Sequence, residues 1–126
     1  MPDTHHPAAL RLLFVEDNEY LRETLAAMLE EDGREVRACA TAEEALEAFG
    51  QQAFDVVISD VSLPGMSGID LARRLLASRP ALWIILSSGY ALDKGLHTLG
   101  PNVRSLPKPF ELDDMDGLLA EIRAAL

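Results

Sequence analysis

The sequence predicts an α/β fold, a doubly wound five-stranded parallel sheet with helices on both faces. Two patterns alternate along the chain: short strand-like runs, and segments whose apolar residues recur at helical spacing. Three of the runs are continuously apolar, as strands covered on both faces require. The chain's 126 residues suit a single domain that buries roughly two-thirds of its unfolded surface, so no disulfide or structural metal is needed.

Residues 1–9, "MPDTHHPAA", are polar, Pro-containing and aperiodic, and read as a flexible arm before a domain over 10–126. Strands are expected at "RLLFV" (11–15), "REVRACA" (34–40), "DVVIS" (55–59), "WIILS" (83–87) and "VRSL" (103–106). Leu21, Leu25, Met28 and Leu29 mark the first helix. Ala42, Ala45, Leu46 and Phe49 mark the second, opened by Thr41 and Glu44 at capping-box spacing. Ile69, Ala72, Leu75 and Leu76 mark the third, with Ser67 as its N-cap. The fourth, around "ALDKGLHTLG", carries Gly95 and Gly100 and is expected to be short or mobile. Met115, Leu118, Leu119 and Ile122 mark the last. Strand and helix thus alternate five times, and right-handed crossovers fold such a chain into a parallel sheet between helix layers.

A formal net charge of −10 argues against nucleic acid as a direct partner. Arg73, Arg74 and Arg79 are the nearest approach to a basic patch, and they read as a solvated helix face. No run nears the ~20 apolar residues that span a bilayer, so no membrane partner is expected. The single Cys39 cannot form an intrachain bridge, and no signal-peptide pattern opens the chain, which points to the cytoplasm. Cys39, Phe14 and Trp83 read as core, and His5 and His6 in the arm lack the further ligands a metal site needs.

In an open parallel sheet, ligands bind at the carboxyl ends of the strands, where the winding reverses. Those ends carry Glu16, Asp17 and Asn18, then Asp60, then Ser87 and Ser88, and finally Lys108, one of only two lysines in the chain. Taken singly, each has an ordinary reading: Asp60 a turn former before "SLPG", the serines turn residues, Lys108 a surface lysine. Together they place three carboxylates, a hydroxyl and an ammonium on one rim. Clustered carboxylates raise one another's pKa values unless a cation sits among them, and an all-oxygen donor set suits Mg2+. A carboxylate kept ionised by metal and lysine can attack phosphorus to give an acyl phosphate.

The motifs "FVEDN" (14–18), "ISDVSLPGMSG" (58–68), "ILSSGY" (85–90) and "LPKPF" (106–110), in this order and spacing, closely resemble the receiver domain of two-component response regulators, of the single-domain chemotaxis type or the hybrid-kinase type. The resemblance runs from about Arg11 to Leu126. It implies a flavodoxin-like strand order 2-1-3-4-5 and a phosphorelay function in which Asp60 is the phosphoacceptor. Asp17 is then a direct Mg2+ ligand, Glu16 one acting largely through water, and Asp60 and the backbone carbonyl of Ser62 complete the protein's share. Ser87 takes the place of the switch hydroxyl and Lys108 that of the lysine pairing with the phosphoryl group, followed by a cis Lys108–Pro109 bond.

The implied donor is a phosphohistidine on a sensor histidine kinase or a histidine phosphotransfer protein, the implied target an unidentified downstream protein. The domain would catalyse its own phosphorylation and dephosphorylation without being a conventional enzyme. With no output domain after the last helix, the chain is expected to act alone or to be one receiver of a larger protein, its opening residues favouring a natural start.

Three departures stand out. The acid pair is Glu16–Asp17 rather than two aspartates, the switch residue is Ser87 rather than threonine, and Ser105 occupies a position often aromatic. Without that aromatic, readout is expected to pass through Tyr90 and residues 91–100. Two other classes share features. A haloacid dehalogenase-type phosphatase carries a second Asp two residues after its nucleophile, where this chain has Ser62. A phosphorylation-independent interaction module would not need Glu16, Asp17, Asp60 and Lys108 together.

Overall fold

The computed structural model describes residues 9–30, 33–89 and 96–126. The arm to residue 8, Tyr90 and residues 91–95 lie outside them, and with them the expectations placed on those segments. Five strands alternate with helices: β1 (Leu10–Val15), α1 (Glu19–Leu29), β2 (Arg34–Cys39), α2 (Ala42–Gln51), β3 (Val56–Asp60), α3 (Gly68–Ser78), β4 (Trp83–Ser88), α4 (Leu96–Leu99), β5 (Val103–Pro107) and α5 (Leu112–Ala125). The sheet order is β2-β1-β3-β4-β5 and every pairing is parallel. The fold class and the strand order are those the sequence implied. Among the described residues no helix is long and apolar enough to cross a membrane.

Alternation along the strands sorts the core into two layers. Leu13, Val15, Val57, Ile84 and Leu86 face α2 and α3, packing on Ala42, Ala45, Ala48, Leu71, Leu75 and Leu76. Leu12, Phe14, Val56, Ile58, Ile85 and Leu106 face α1 and α5, packing on Leu29, Met115, Leu119 and Ile122. Cys39 and Phe14 are buried as expected. Trp83 is half-buried at the start of β4, beneath the Arg104 guanidinium, which lies 4.9 Å from the ring centroid and 3.5 Å from Glu121.

The helix starts follow side-chain chemistry. Asn18 caps α1 by accepting from the Leu21 N–H at 3.0 Å. Thr41 caps α2 through the Glu44 N–H at 3.1 Å, and the Glu44 carboxylate meets the Thr41 hydroxyl at 3.4 Å rather than the backbone. Ser67 caps α3 through the Asp70 N–H at 3.1 Å. Within the described residues α4 is a single turn. Arg73, Arg74 and Arg79 are all exposed, and Arg79 in addition donates to the Phe54 carbonyl at 2.9 Å.

At the end of the sheet remote from the strand carboxyl termini, Arg11 and Asp55 lock β1 to the start of β3. The Arg11 N–H reaches Asp55 Oδ2 at 2.8 Å and its Nη2 reaches Oδ1 at 3.2 Å, while the Asp55 N–H donates to the Arg11 carbonyl at 2.8 Å. Burial pushes the Asp55 carboxyl up, but the hydrogen bonds and charge of Arg11 outweigh it and hold the pKa below the ordinary value. A carboxyl depressed in the folded state contributes stability above its unfolded pKa of about 3.9 and loses it as pH falls through the folded value. Asp55→Asn is expected to cost about 0.5–1 kcal/mol near neutrality, the half-exposed Arg11 limiting the effect. Urea midpoints of both proteins from neutral to acid pH check this: the gap closes on the acid side.

Candidate functional site

Glu16, Asp60, Ser87 and Lys108 share a simple origin. Each lies two residues beyond a core residue, Phe14, Ile58, Ile85 or Leu106, and all four of those pack toward α1 and α5. Side chains two apart point to the same face of a strand, so the polar residues continue that apolar layer past the strand ends. The register completes the alignment. Asp60 lies opposite Ser87, and Ser87 opposite Leu106, while the Lys108 N–H donates to the Ser88 carbonyl at 2.8 Å. The order β1-β3 is where the winding reverses, and there the acid pair of β1 meets Asp60 of β3.

The resulting geometry is compact. One carboxylate oxygen from each of Glu16, Asp17 and Asp60 lies within 4.8 Å of the others. Lys108 Nζ sits 2.7 Å from Asp60 Oδ1, and the Lys108–Pro109 peptide is cis. Glu16 and Asp60 are buried, whereas Asp17 is exposed. Glu16 Oε2 accepts from the Asn18 N–H at 3.0 Å, and Arg22 donates to the Glu16 carbonyl at 2.9 Å. Burial, and then a hydrogen bond and charge repulsion from Asp60, push the Glu16 carboxyl up to about 7 against the opposing Asn18 N–H and Lys108 ammonium. One lysine does not balance three carboxylates, so the cluster is short of positive charge.

Ser87 is 5% exposed, and its Oγ is the buried side-chain oxygen that, among the described residues, has no hydrogen-bond partner. A buried hydroxyl left unmade is costly, and here it borders an open cavity of about 540 Å3 that Asp60, Lys108 and Glu16 also line. Leu21, Leu25, Phe110 and Met115 form apolar walls of the same cavity. Ser88 is buried one residue further on. Ser62, also a sequence candidate, lies exposed on the loop that leaves Asp60.

Two contributors were not legible beforehand. A Cβ on Gly68 would stand 2.0 Å from the Asp60 carbonyl oxygen, so α3 approaches the site only because this residue has no side chain. The Gly68 N–H donates to the Val61 carbonyl at 2.9 Å, and the Val61 N–H to the Ser87 carbonyl at 2.9 Å. Arg22 is the other; nothing in its helical position distinguished it from a solvated arginine.

An all-oxygen cluster with excess negative charge fits a hard divalent cation such as Mg2+, which typically takes one or two carboxylates together with phosphate oxygens. An unpartnered hydroxyl and an ammonium beside the same carboxylate fit the oxygens of a phosphoryl group.

The family model of the response regulator receiver domain matches residues 12–120. The chain is similar to the response regulator protein FleR of Pseudomonas aeruginosa, 37% identical over 114 residues, which are 89% of this chain and 24% of that protein. It is also similar to the sensor histidine kinase AtsR of Burkholderia thailandensis, 32% identical over 122 residues, which are 91% of this chain and 20% of that protein. The chain therefore spans about a quarter or less of these relatives' length. Among solved structures it resembles the response regulator protein TrrA of Thermotoga maritima in complex with Mg2+ and BeF, with a TM-score of 0.78, 28% identity, and coverage of 89% of this chain and 97% of that one.

Proposed function

We propose, from the premise that the chain belongs to the response regulator receiver family, that Asp60 is a phosphoacceptor in a two-component phosphorelay. The observation that carries the reading is the Ser87 hydroxyl, without a partner among the described residues, on the same cavity as a carboxylate already held by Lys108 at 2.7 Å. The donor is a phosphohistidine on a sensor histidine kinase or a histidine phosphotransfer protein, and the occurrence of a sensor histidine kinase among the relatives supports this. The phosphorylated domain signals by docking a downstream protein. This places the chemistry in the cytoplasm, where kinase and target meet.

An Asp60 oxygen forms the bond to phosphorus as the bond from phosphorus to the donor imidazole nitrogen breaks. The phosphoryl oxygens then require positive partners and donors. Lys108 stands beside the nucleophile to pair with one, and the Ser87 hydroxyl donates to another. Glu16, Asp17, Asp60 and the Ser62 backbone carbonyl would hold Mg2+, which when bound would neutralise charge on the transferring group. In the reverse half of the cycle a water oxygen attacks phosphorus, phosphate leaves and the Asp60 carboxylate is restored. The domain thus promotes its own labelling and its own discharge.

Incubation with acetyl phosphate and Mg2+, followed by mass spectrometry, tests the reading. A gain of one phosphoryl group supports it, and no gain with Mg2+ bound favours the interaction module. Within the acid pair, Asp17 is the exposed member and Glu16 is engaged by the Asn18 N–H. Asp17→Ala is therefore expected to weaken Mg2+ binding about tenfold or more, and Glu16→Ala less. Calorimetric titration of both variants checks the order.

A further inference from the structure

The loop between β3 and α3 is tied to α2 by a carboxylate that the chemistry above does not use. Its two ends are fixed: the Val61 N–H bonds to the Ser87 carbonyl, and the Gly68 N–H returns to the Val61 carbonyl, each at 2.9 Å. Between them Ser62, Pro64 and Gly65 are exposed. Glu43, in the first turn of α2, reaches across and accepts the Met66 N–H on Oε2 at 3.2 Å.

Gly65 makes the approach possible in two ways. Its φ of +75° lies in the left-handed region, which turns the chain so that the next N–H faces α2. A Cβ there would stand 2.9 Å from Glu43 Oε2 and 3.6 Å from Cδ, so the carboxylate occupies the space a side chain would need. The bonded amide lies 23 residues from Glu43 in sequence, so the tie restrains the loop against a separately packed element, which hydrogen bonds within the loop cannot do.

We propose that Glu43 is a positioning residue for the metal site: by holding Met66 it fixes the loop that carries Ser62, and so sets how well the Ser62 carbonyl is placed for Mg2+. The inference rests on the reading of Ser62 given under the proposed function. Glu43 touches neither metal nor phosphoryl group. It acts by lowering the number of loop arrangements from which the cation selects, which raises apparent affinity because less ordering remains to be done on binding.

Glu43→Ala removes the acceptor, while Glu43→Gln keeps a side-chain oxygen for the Met66 N–H and removes only the charge. Mg2+ titration of the full chain is expected to give a dissociation constant about 3–10-fold higher for Glu43→Ala and within about 2-fold of wild type for Glu43→Gln, the size one hydrogen bond implies. Amide exchange in metal-free protein supplies a second reading: Met66 should exchange faster in Glu43→Ala than in wild type or Glu43→Gln. The urea midpoint should stay close to wild type in Glu43→Gln and fall in Glu43→Ala by no more than the loss of one hydrogen bond implies.

Wild-type affinity in Glu43→Ala overturns the proposal, as does a Glu43→Gln variant as weak as Glu43→Ala, since that would make helix-terminal charge the cause. Unchanged Met66 exchange in Glu43→Ala also overturns it. A wild-type chain that binds no Mg2+ removes the metal reading itself, an outcome distinct from equal binding by wild type and Glu43→Ala.

Discussion

Asp60→Asn is expected to take up no phosphoryl group under conditions in which the wild-type chain takes up one. The substitution is nearly isosteric but replaces the proposed oxygen nucleophile by an amide, and labelling by acetyl phosphate with Mg2+ should fall below detection. The fold should survive. The change sheds one of three carboxylates that lie within 4.8 Å of one another, which offsets the loss of the Lys108 partner at 2.7 Å. Mass spectrometry for the phosphoryl group and a thermal melt for the fold separate the two effects. Undiminished labelling of Asp60→Asn would remove Asp60 as acceptor.

The second large effect is expected at Gly68. In Gly68→Ala the new Cβ would stand 2.0 Å from the Asp60 carbonyl oxygen, 2.9 Å from its carbon and 3.0 Å from Ser59 Oγ. The two nearest are backbone atoms, and the third is the end of a buried side chain. The carbonyl also accepts the Ser59 hydroxyl at 2.8 Å, a bond that a Cβ 3.0 Å from Ser59 Oγ would crowd as well. Either α3 lifts away or the end of β3 shifts, at a cost of about 1–3 kcal/mol or more. The displaced residue is the proposed phosphoacceptor. Gly68→Ala should therefore show both a lower urea midpoint and slower labelling, whereas a substitution that only loosened α3 would change the first alone.

The architecture could be read from the chain because it depends on local periodicity. The runs ending at Val15, Ser59 and Ser87 are strands within a residue or so of their expected limits, and Thr41 and Ser67 cap the helices they precede. The site was legible for a related reason. Polar residues that interrupt an apolar alternation at strand ends are few, and Glu16, Asp60, Ser87 and Lys108 all qualify.

What remained hidden depends on distance along the chain. The lock between Arg11 and Asp55 joins residues 44 apart, and the Glu43 tie to Met66 spans 23. Nothing within either segment marks it as half of a pair. Asn18 was grouped with the rim residues because it follows the acid pair, yet its side chain serves the start of α1. Trp83 was assigned to the core on hydrophobicity alone, whereas Arg104 shields one side of it. Gly68 was in view within "SLPGMSG", but only the packing of α3 on Asp60 shows why no larger residue fits.

The continuation of one apolar layer into the site has a consequence for errors in assembly. Phe14, Ile58, Ile85 and Leu106 fix the direction in which Glu16, Asp60, Ser87 and Lys108 point, since each pair shares a strand face. A slip of β3 by one residue would turn Asp60 toward α2 and α3, and in the same step would turn Ile58 out of its own layer. The penalty for that mistake falls on the polar residue rather than on apolar burial: both layers are apolar, so Val57 and Ile58 would merely exchange them, whereas Asp60 would lose Lys108 and turn its carboxylate into an apolar layer, where an unpaired charge is costly. The polar end of β3 thus acts as a register mark that the apolar part of the strand, acceptable to either layer, cannot supply by itself.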